Sequence, residues 1–137
     1  MGPDEQLYLA VQHTARVFRG LDSELGLSPS RFSVLATLRF AGPQRVGALA
    51  RLEDVAQPTM TRLLAGLERQ ELVERRADPD DRRGSTFQLT AAGRALVRRA
   101  RARKIGWVAR VLRDLKPDER AAAHRLARDL DGAARPR

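Results

Sequence analysis

Cysteine is absent from all 137 residues. This excludes disulfide bonds, thiolate metal sites and thiol-based peroxide sensing. Lysine is scarce: with only Lys104 and Lys116, 24 of the 26 basic residues are arginine. No apolar run approaches the roughly 18 residues needed to span a bilayer. The opening MGPDEQLYLA lacks the charged-then-apolar order of an export signal, so cytoplasmic residence without a membrane partner is expected. Catalytic signatures are missing too. There is no Gly-rich phosphate loop, no HExxH and no activated nucleophile. The two histidines, His13 and His124, have neither cysteine nor a nearby acidic cluster to complete a metal site. The chain reads as a non-enzyme that needs no cofactor.

What is present is a single domain's length with enough apolar residues (42%) for one core. The net charge of +9 suggests a polyanionic partner, although Arg-rich, Ala-rich composition is also what a high-GC genome produces. The surplus is uneven. Residues 1–45 hold 5 basic and 4 acidic groups, residues 46–90 hold 7 and 8, and residues 91–137 hold 14 and 5. The differences, +1, −1 and +9, put the excess in the last third. Net charge therefore does not locate a binding element, and patterning has to.

Residues 4–21 are predicted helical from the three-to-four spacing of Leu7, Val11, Thr14, Phe18 and Leu21. After Gly26, Ser28-Pro29 starts a second helix with Ser28 as N-cap, and Leu27 and Phe32 occupy hydrophobic-staple positions. This helix carries Phe32, Leu35 and Leu38 inward and stops at Ala41-Gly42-Pro43. A short third helix runs from Val46 to about Glu53, with Asp54 suited to a tight left-handed turn. A fourth, 57–70, points Met60, Leu63, Leu64 and Leu67 at the core. A strand from Leu72-Val73 to Arg76 or Ala77, a charged loop ADPDDRRG and a strand 85–89 follow, the last alternating Phe87 and Leu89 with polar neighbours. Thr90 fits as N-cap of a long helix, 91 to about 115, whose expected apolar stripe is Leu96, Ile105, Val108, Leu112 and Leu115. Pro117 breaks it before a last helix, about 118–130, with Ala122, Leu126 and Leu130. The tail GAARPR is expected to be disordered.

Helix, turn, helix, strand, charged loop, strand is the order of a winged helix-turn-helix. The fold class is thus mainly α with a small β-hairpin wing. In such a shape the fourth helix is the candidate reader of a DNA major groove. Its Gln57, Thr59, Thr61 and Arg62 suit base edges: Arg pairs with guanine, Gln with adenine, and a Thr methyl meets the thymine methyl. In the candidate wing, Arg82 and Arg83 can enter a narrow minor groove. Asp78, Asp80 and Asp81 would repel phosphate and are better used in pairing nearby arginines. Arg94 and Arg98, opening the long fifth helix, are candidates for phosphate contact. The alternative for the helix residues is an ordinary solvated face, and for the wing a plain charged surface loop. A winged helix used for protein or nonspecific nucleic-acid contacts is the competing function.

Four motifs in order carry a resemblance: Pro58-Thr59-Met60-Thr61-Arg62-Leu63, then Leu67-Glu68 with Leu72-Val73, then Asp78-Pro79-Asp80-Asp81-Arg82-Arg83, then Leu89-Thr90 with Gly93. With this spacing, and with helices flanking on both sides, the chain resembles the MarR (multiple antibiotic resistance regulator) family over nearly its whole length. The resemblance implies a homodimer whose first and last two helices interlock, here about 4–21 and 91–131, with a winged DNA-binding lobe at about 28–93. It implies double-stranded DNA as partner, an inverted-repeat operator and repression. It also implies that Gln57, Thr59, Thr61 and Arg62 face bases or phosphates, and that Arg83 probes the minor groove with Asp81 as its ion-pair anchor. Arg82 is implied as a second contact. Relatives often bind small aromatic effectors between the dimer helices and the winged lobe, which makes Trp107, Tyr8 and Phe18 candidate effector residues; core or dimer interface is the plainer use of such side chains. Two positions depart from the pattern. Ala56 stands where a capping Ser is common, and Glu71 where a glycine is usual.

Overall fold

The computed structural model describes residues 1–135. The elements in chain order are α1 (Pro3–Glu24), α2 (Pro29–Ala41), α3 (Val46–Leu52), α4 (Gln57–Arg69), β1 (Val73–Ala77), β2 (Ser85–Leu89), α5 (Ala91–Leu112) and α6 (Pro117–Ala134). They fall into two compact units, Met1–Arg103 and Lys104–Arg137, with α5 running through the boundary.

Local chemistry sets most helix ends in the first unit. The Ser28 hydroxyl accepts the Arg31 N–H at the start of α2, with Pro29 in the first turn. Leu27 is buried and Phe32 packs on the core, which completes the staple. At the ends of α1, α3 and α4 the chain closes in one way. The first residue past the cap takes a left-handed backbone, and two N–H groups turn back onto the last helical carbonyls. The bonds are Gly26 to Ser23 and Leu27 to Asp22 after α1, Asp54 to Arg51 and Val55 to Ala50 after α3, and Glu71 to Glu68 and Leu72 to Leu67 after α4. The left-handed residues are Gly26 (φ 77°), Asp54 (φ 53°) and Glu71 (φ 59°). Only the first is glycine.

The core of this unit gathers Val34, Leu35 and Leu38 of α2, Leu49 and Ala50 of α3, and Met60, Leu64 and Leu67 of α4. Phe87 and Leu89 of β2 and Val97 and Ala100 of α5 close it. β1 and β2 pair antiparallel, with Val73 opposite Leu89 and Ala77 opposite Ser85. Gln44, just ahead of α3, adds a third rung by exchanging both backbone hydrogen bonds with Phe87, at 3.0 and 2.8 Å. Thr90 caps α5 by accepting the Gly93 N–H and donates its own hydroxyl proton to the Glu71 carbonyl. A Cβ on Gly93 would sit 2.0 Å from the Leu72 carbonyl oxygen. The glycine is therefore a requirement of how closely α5 starts against the hairpin.

Three expectations need correction. The stripe predicted for α5 is out of phase. Gly93, Val97 and Ala100 are its buried residues, whereas Ile105 and Val108 are exposed and Leu96 only packs on the core's edge. α5 also ends at Leu112, so Leu115 falls in the turn before α6. Apolar side chains at helical spacing look alike in sequence whether they face the chain's own core or an open surface. Third, α6 continues to Ala134, so the first half of the tail expected to be disordered is helical; Arg135 follows as its C-cap, and residues 136–137 lie outside the described residues. In the second unit no described residue is buried, and Ile105, Val108, Val111, Leu126 and Leu130 are all exposed.

Candidate nucleic-acid interface

α4 turns one face inward through Met60, Leu64 and Leu67 and leaves Gln57, Thr61 and Arg62 exposed, with Thr59 half-buried. Packing thus frees the polar side chains near its N-terminus. Thr61 donates its hydroxyl proton to the Gln57 carbonyl at 3.0 Å. Its donor is spent inside the helix, and what it offers outward is a methyl group and an acceptor lone pair. Gln57 leans over α3, its Oε1 3.6 Å from where a Cβ of Gly47 would stand. The helix starts without a side-chain cap, because Ala56 has no acceptor. Its first N–H groups, carrying the positive end of the helix dipole, stay open to an anion.

The hairpin sorts its arginines. Arg75 pairs with Glu68 at 3.3 Å and lies over the Phe87 ring, 5.1 Å from its centroid. Arg76 pairs with Glu74 at 3.0 Å, and Gln88 donates to the same carboxylate at 2.7 Å. The Gln88 hydrogen bond, then Arg76, hold the Glu74 carboxyl below its usual range. Arg82 and Arg83, at the tip, are exposed, and no side-chain partner is seen for either among the described residues.

Asp81 does not anchor Arg83 by an ion pair. Its carboxylate accepts the backbone N–H of Arg83 at 3.0 Å and pairs instead with Arg45, Nη2 to Oδ2, at 3.3 Å. Arg45 Nε also donates to Asp78 Oδ2 at 2.6 Å. One guanidinium from the residue preceding α3 thus bridges two acids of the wing loop. Asp78 is held below the ordinary carboxylate range by the Asp80 backbone N–H first and by Arg45 second. Asp81 is held down by the Arg83 N–H and then Arg45. Hydrogen bonds to Asp78 and Asp81 raise Arg45 further above its ordinary value. Of the three loop acids expected to pair arginines, Asp78 and Asp81 do so; Asp80 contributes its backbone N–H, and no ion pair of its carboxylate is seen among the described residues. Sequence reasoning misses Arg45 itself, because its partners are 33 residues or more away along the chain.

A groove of about 1010 Å³ lies between the start of α3, Gln57 of α4 and the hairpin, with Arg45, Arg51, Arg76 and Thr86 among its walls. Arg94 is exposed at the start of α5 and donates one Nη to the Leu89 carbonyl at 2.9 Å, which fixes it beside the hairpin root. Tyr8, Phe18 and Trp107 do not line this groove, nor a smaller one beside Arg39 and Arg94.

Residues 27–85 match the model of the MarR family. Over 114 residues the chain is 36% identical to a helix-turn-helix-type transcriptional regulator of Mycobacterium leprae, an alignment covering 83% of this chain and 80% of that protein. Its fold matches the YusO protein of Bacillus subtilis with a TM-score of 0.81 at 27% identity, over 96% of this chain and 94% of the other. It also matches an S. aureus MepR mutant solved bound to an oligodeoxyribonucleotide, with a TM-score of 0.78 at 18% identity, covering 98% and 100% of the two chains. At that identity the likeness is one of fold. Among the described residues, no helix is long and apolar enough to cross a membrane.

Proposed function

The chain belongs to the MarR family of helix-turn-helix transcriptional regulators, and from that premise we propose that it is a homodimeric repressor whose two winged lobes read a palindromic operator. The observation that carries this reading is the division among the lobe's arginines. Arg45, Arg75 and Arg76 are committed to ion pairs, whereas Arg62 on the exposed side of α4 and Arg82 and Arg83 at the wing tip are not, among the described residues. In this proposal the lobe, about 28–93, places α4 in the major groove. Arg62 pairs with guanine, Gln57 with a base edge or phosphate, and Thr61 presents its methyl to thymine. Thr59 and the uncapped end of α4 meet the phosphate backbone. Arg82 and Arg83 enter the flanking minor groove, and Arg94 adds a phosphate contact beside the hairpin root. That a MepR mutant sharing this fold was solved bound to an oligodeoxyribonucleotide supports DNA as the partner.

The second unit gives the reason for dimerisation. From residue 104 on no described residue is buried, and a helical stretch showing Ile105, Val108, Val111, Leu126 and Leu130 to solvent has no core of its own. Exposed apolar faces of this kind are covered by a partner. A second copy using about 4–21 and 91–131 supplies one, and Tyr8 and Val11 of α1 are exposed as well. A two-fold dimer spaces its reading helices about one DNA turn apart, ~34–36 Å. Lying across a promoter, it excludes polymerase. Selection of bound duplexes from a random pool tests the reading. A recovered inverted repeat with half-sites one turn apart supports it. Recovery of no shared sequence would instead favour nonspecific or protein contacts.

A further inference from the structure

We propose that Arg45 is the positioning residue of the wing, the side chain that aims Arg82 and Arg83, and this rests on the DNA-binding reading above. Arg45 is held on both sides in sequence. Gln44 before it is locked to Phe87 in the sheet, and Arg45 itself is the N-cap residue from which α3 departs. From this fixed base its guanidinium reaches across to the loop and meets Asp78, where the loop begins, and Asp81, just before the tip arginines. Each acid then fixes loop backbone with its other oxygen. Asp78 Oδ1 accepts the Asp80 N–H at 2.9 Å, and Asp81 Oδ1 accepts the Arg83 N–H at 3.0 Å. The chain of contact therefore runs from the start of α3 through Arg45 and Asp81 to the backbone of Arg83. The loop is closed independently by Asp78 N–H to the Gly84 carbonyl and Gly84 N–H to the Asp81 carbonyl, both 3.0 Å.

Gly84 provides a second, separate observation. A Cβ there would lie 2.4 Å from Arg45 Nη2 and 2.6 Å from Cζ. The guanidinium occupies the space a Cβ at Gly84 would take, so a side chain there would displace it. Gly84 is not among the positive-φ glycines, so its role is that space and not an unusual backbone angle. The same contact screens Asp78 and Asp81, which would otherwise face a polyanion as bare carboxylates.

The test uses the full-length protein, the duplex recovered by random-pool selection, and variants of that duplex whose flanks beyond the half-sites are A·T-rich or G·C-rich. Arg45→Ala should keep the wild-type melting temperature within a degree or two. It should raise backbone mobility across residues 78–84 in the DNA-free protein and weaken DNA binding about tenfold, the scale of one charge-assisted contact. Discrimination between the two flanks should disappear, while preference for the half-site bases read by α4 stays. Gly84→Ala changes no charge, yet should produce the same phenotype, and it should add nothing in the Arg45→Ala background. Arg45→Ala should likewise add little once Arg82 and Arg83 are both alanine. Unchanged loop mobility in Arg45→Ala overturns the proposal. So does a loss that simply adds to that of Arg82→Ala/Arg83→Ala, which would make Arg45 a direct phosphate contact. Failure of the wild-type protein to select any DNA would strike the functional reading instead, and loop mobility would still test the aiming role.

Discussion

Replacing Glu71 with glycine should stabilise the protein, and the structure fixes the reason. Glu71 sits one residue past the α4 cap at φ 59°. Its N–H bonds the Glu68 carbonyl at 2.9 Å, and its carbonyl accepts the Thr90 hydroxyl at 2.7 Å, so the backbone is held there from both ends. For a residue with a Cβ the left-handed region costs roughly 1–2 kcal/mol. Glycine removes that cost but gives the unfolded chain more freedom, which returns roughly 0.4–1 kcal/mol. The net gain is about 0.5–1 kcal/mol, a rise of roughly 2–4 °C in melting temperature for a chain of this size. The side chain is exposed, so little contact is lost with it. Thermal unfolding followed by circular dichroism at one fixed protomer concentration reads the shift, since association would otherwise move the midpoint. Glu71→Ala keeps the Cβ and should gain nothing. Asp54→Gly should gain less than Glu71→Gly, because aspartate tolerates the same backbone better. If Glu71→Ala stabilised as much as Glu71→Gly, charge or solvation would be the cause and the backbone argument would be wrong.

Other outcomes follow from the same contacts. Gly93→Ala drives a Cβ to 2.0 Å from the Leu72 carbonyl oxygen and should cost at least ~2 kcal/mol; a melting temperature equal to wild type would contradict the close approach of α5 to the hairpin. Ala56→Ser supplies the acceptor that the start of α4 lacks and should add ~1 kcal/mol of stability, read as a higher denaturant midpoint. Asp78 and Asp81 both titrate below the ordinary carboxylate value. Their contribution to wing order is therefore complete above the unfolded pKa of about 4 and lost only as pH falls through their lower folded values. Hydrogen exchange should show residues 78–84 equally ordered at pH 7 and pH 5, and loosening between those two values would mean that some other group holds the loop.

Features decided within a few residues are legible in the amino-acid sequence alone. The Ser28 and Thr90 caps, the left-handed Asp54 and the missing cap at Ala56 each follow from one side chain and its nearest neighbours. The inward face of α4 is readable because Met60, Leu64 and Leu67 repeat at helical spacing beside polar residues that have no place in a core. Contacts between distant segments are not. Nothing around Arg45 announces that Asp78, 33 residues on, will meet it. Proximity along the chain assigns Asp81 to Arg83, and the true pairing emerges only once Gln44 is bonded to Phe87 and brings the start of α3 beside the loop. The phase of α5 is misread for a related reason. Small residues, Gly93 and Ala100, make its tightest packing, while the larger Ile105, Val108 and Val111 stay outside. Periodicity weighs size and apolarity, and cannot tell a surface awaiting a partner from an interior.

In the proposed complex α4 and the wing tip address adjoining grooves of one duplex, twice, about a two-fold axis. Chemical footprinting of the selected duplex tests this most directly, with wild type, Arg62→Ala and Arg83→Ala compared at equal occupancy. Two major-groove protections about one helical turn apart, ~34–36 Å, each flanked outward by a minor-groove protection, are expected. Arg62→Ala should erase guanine protection inside the half-sites, and Arg83→Ala should erase only the outer minor-groove signal. A single unpaired protected segment, or footprints identical for all three proteins, would contradict it.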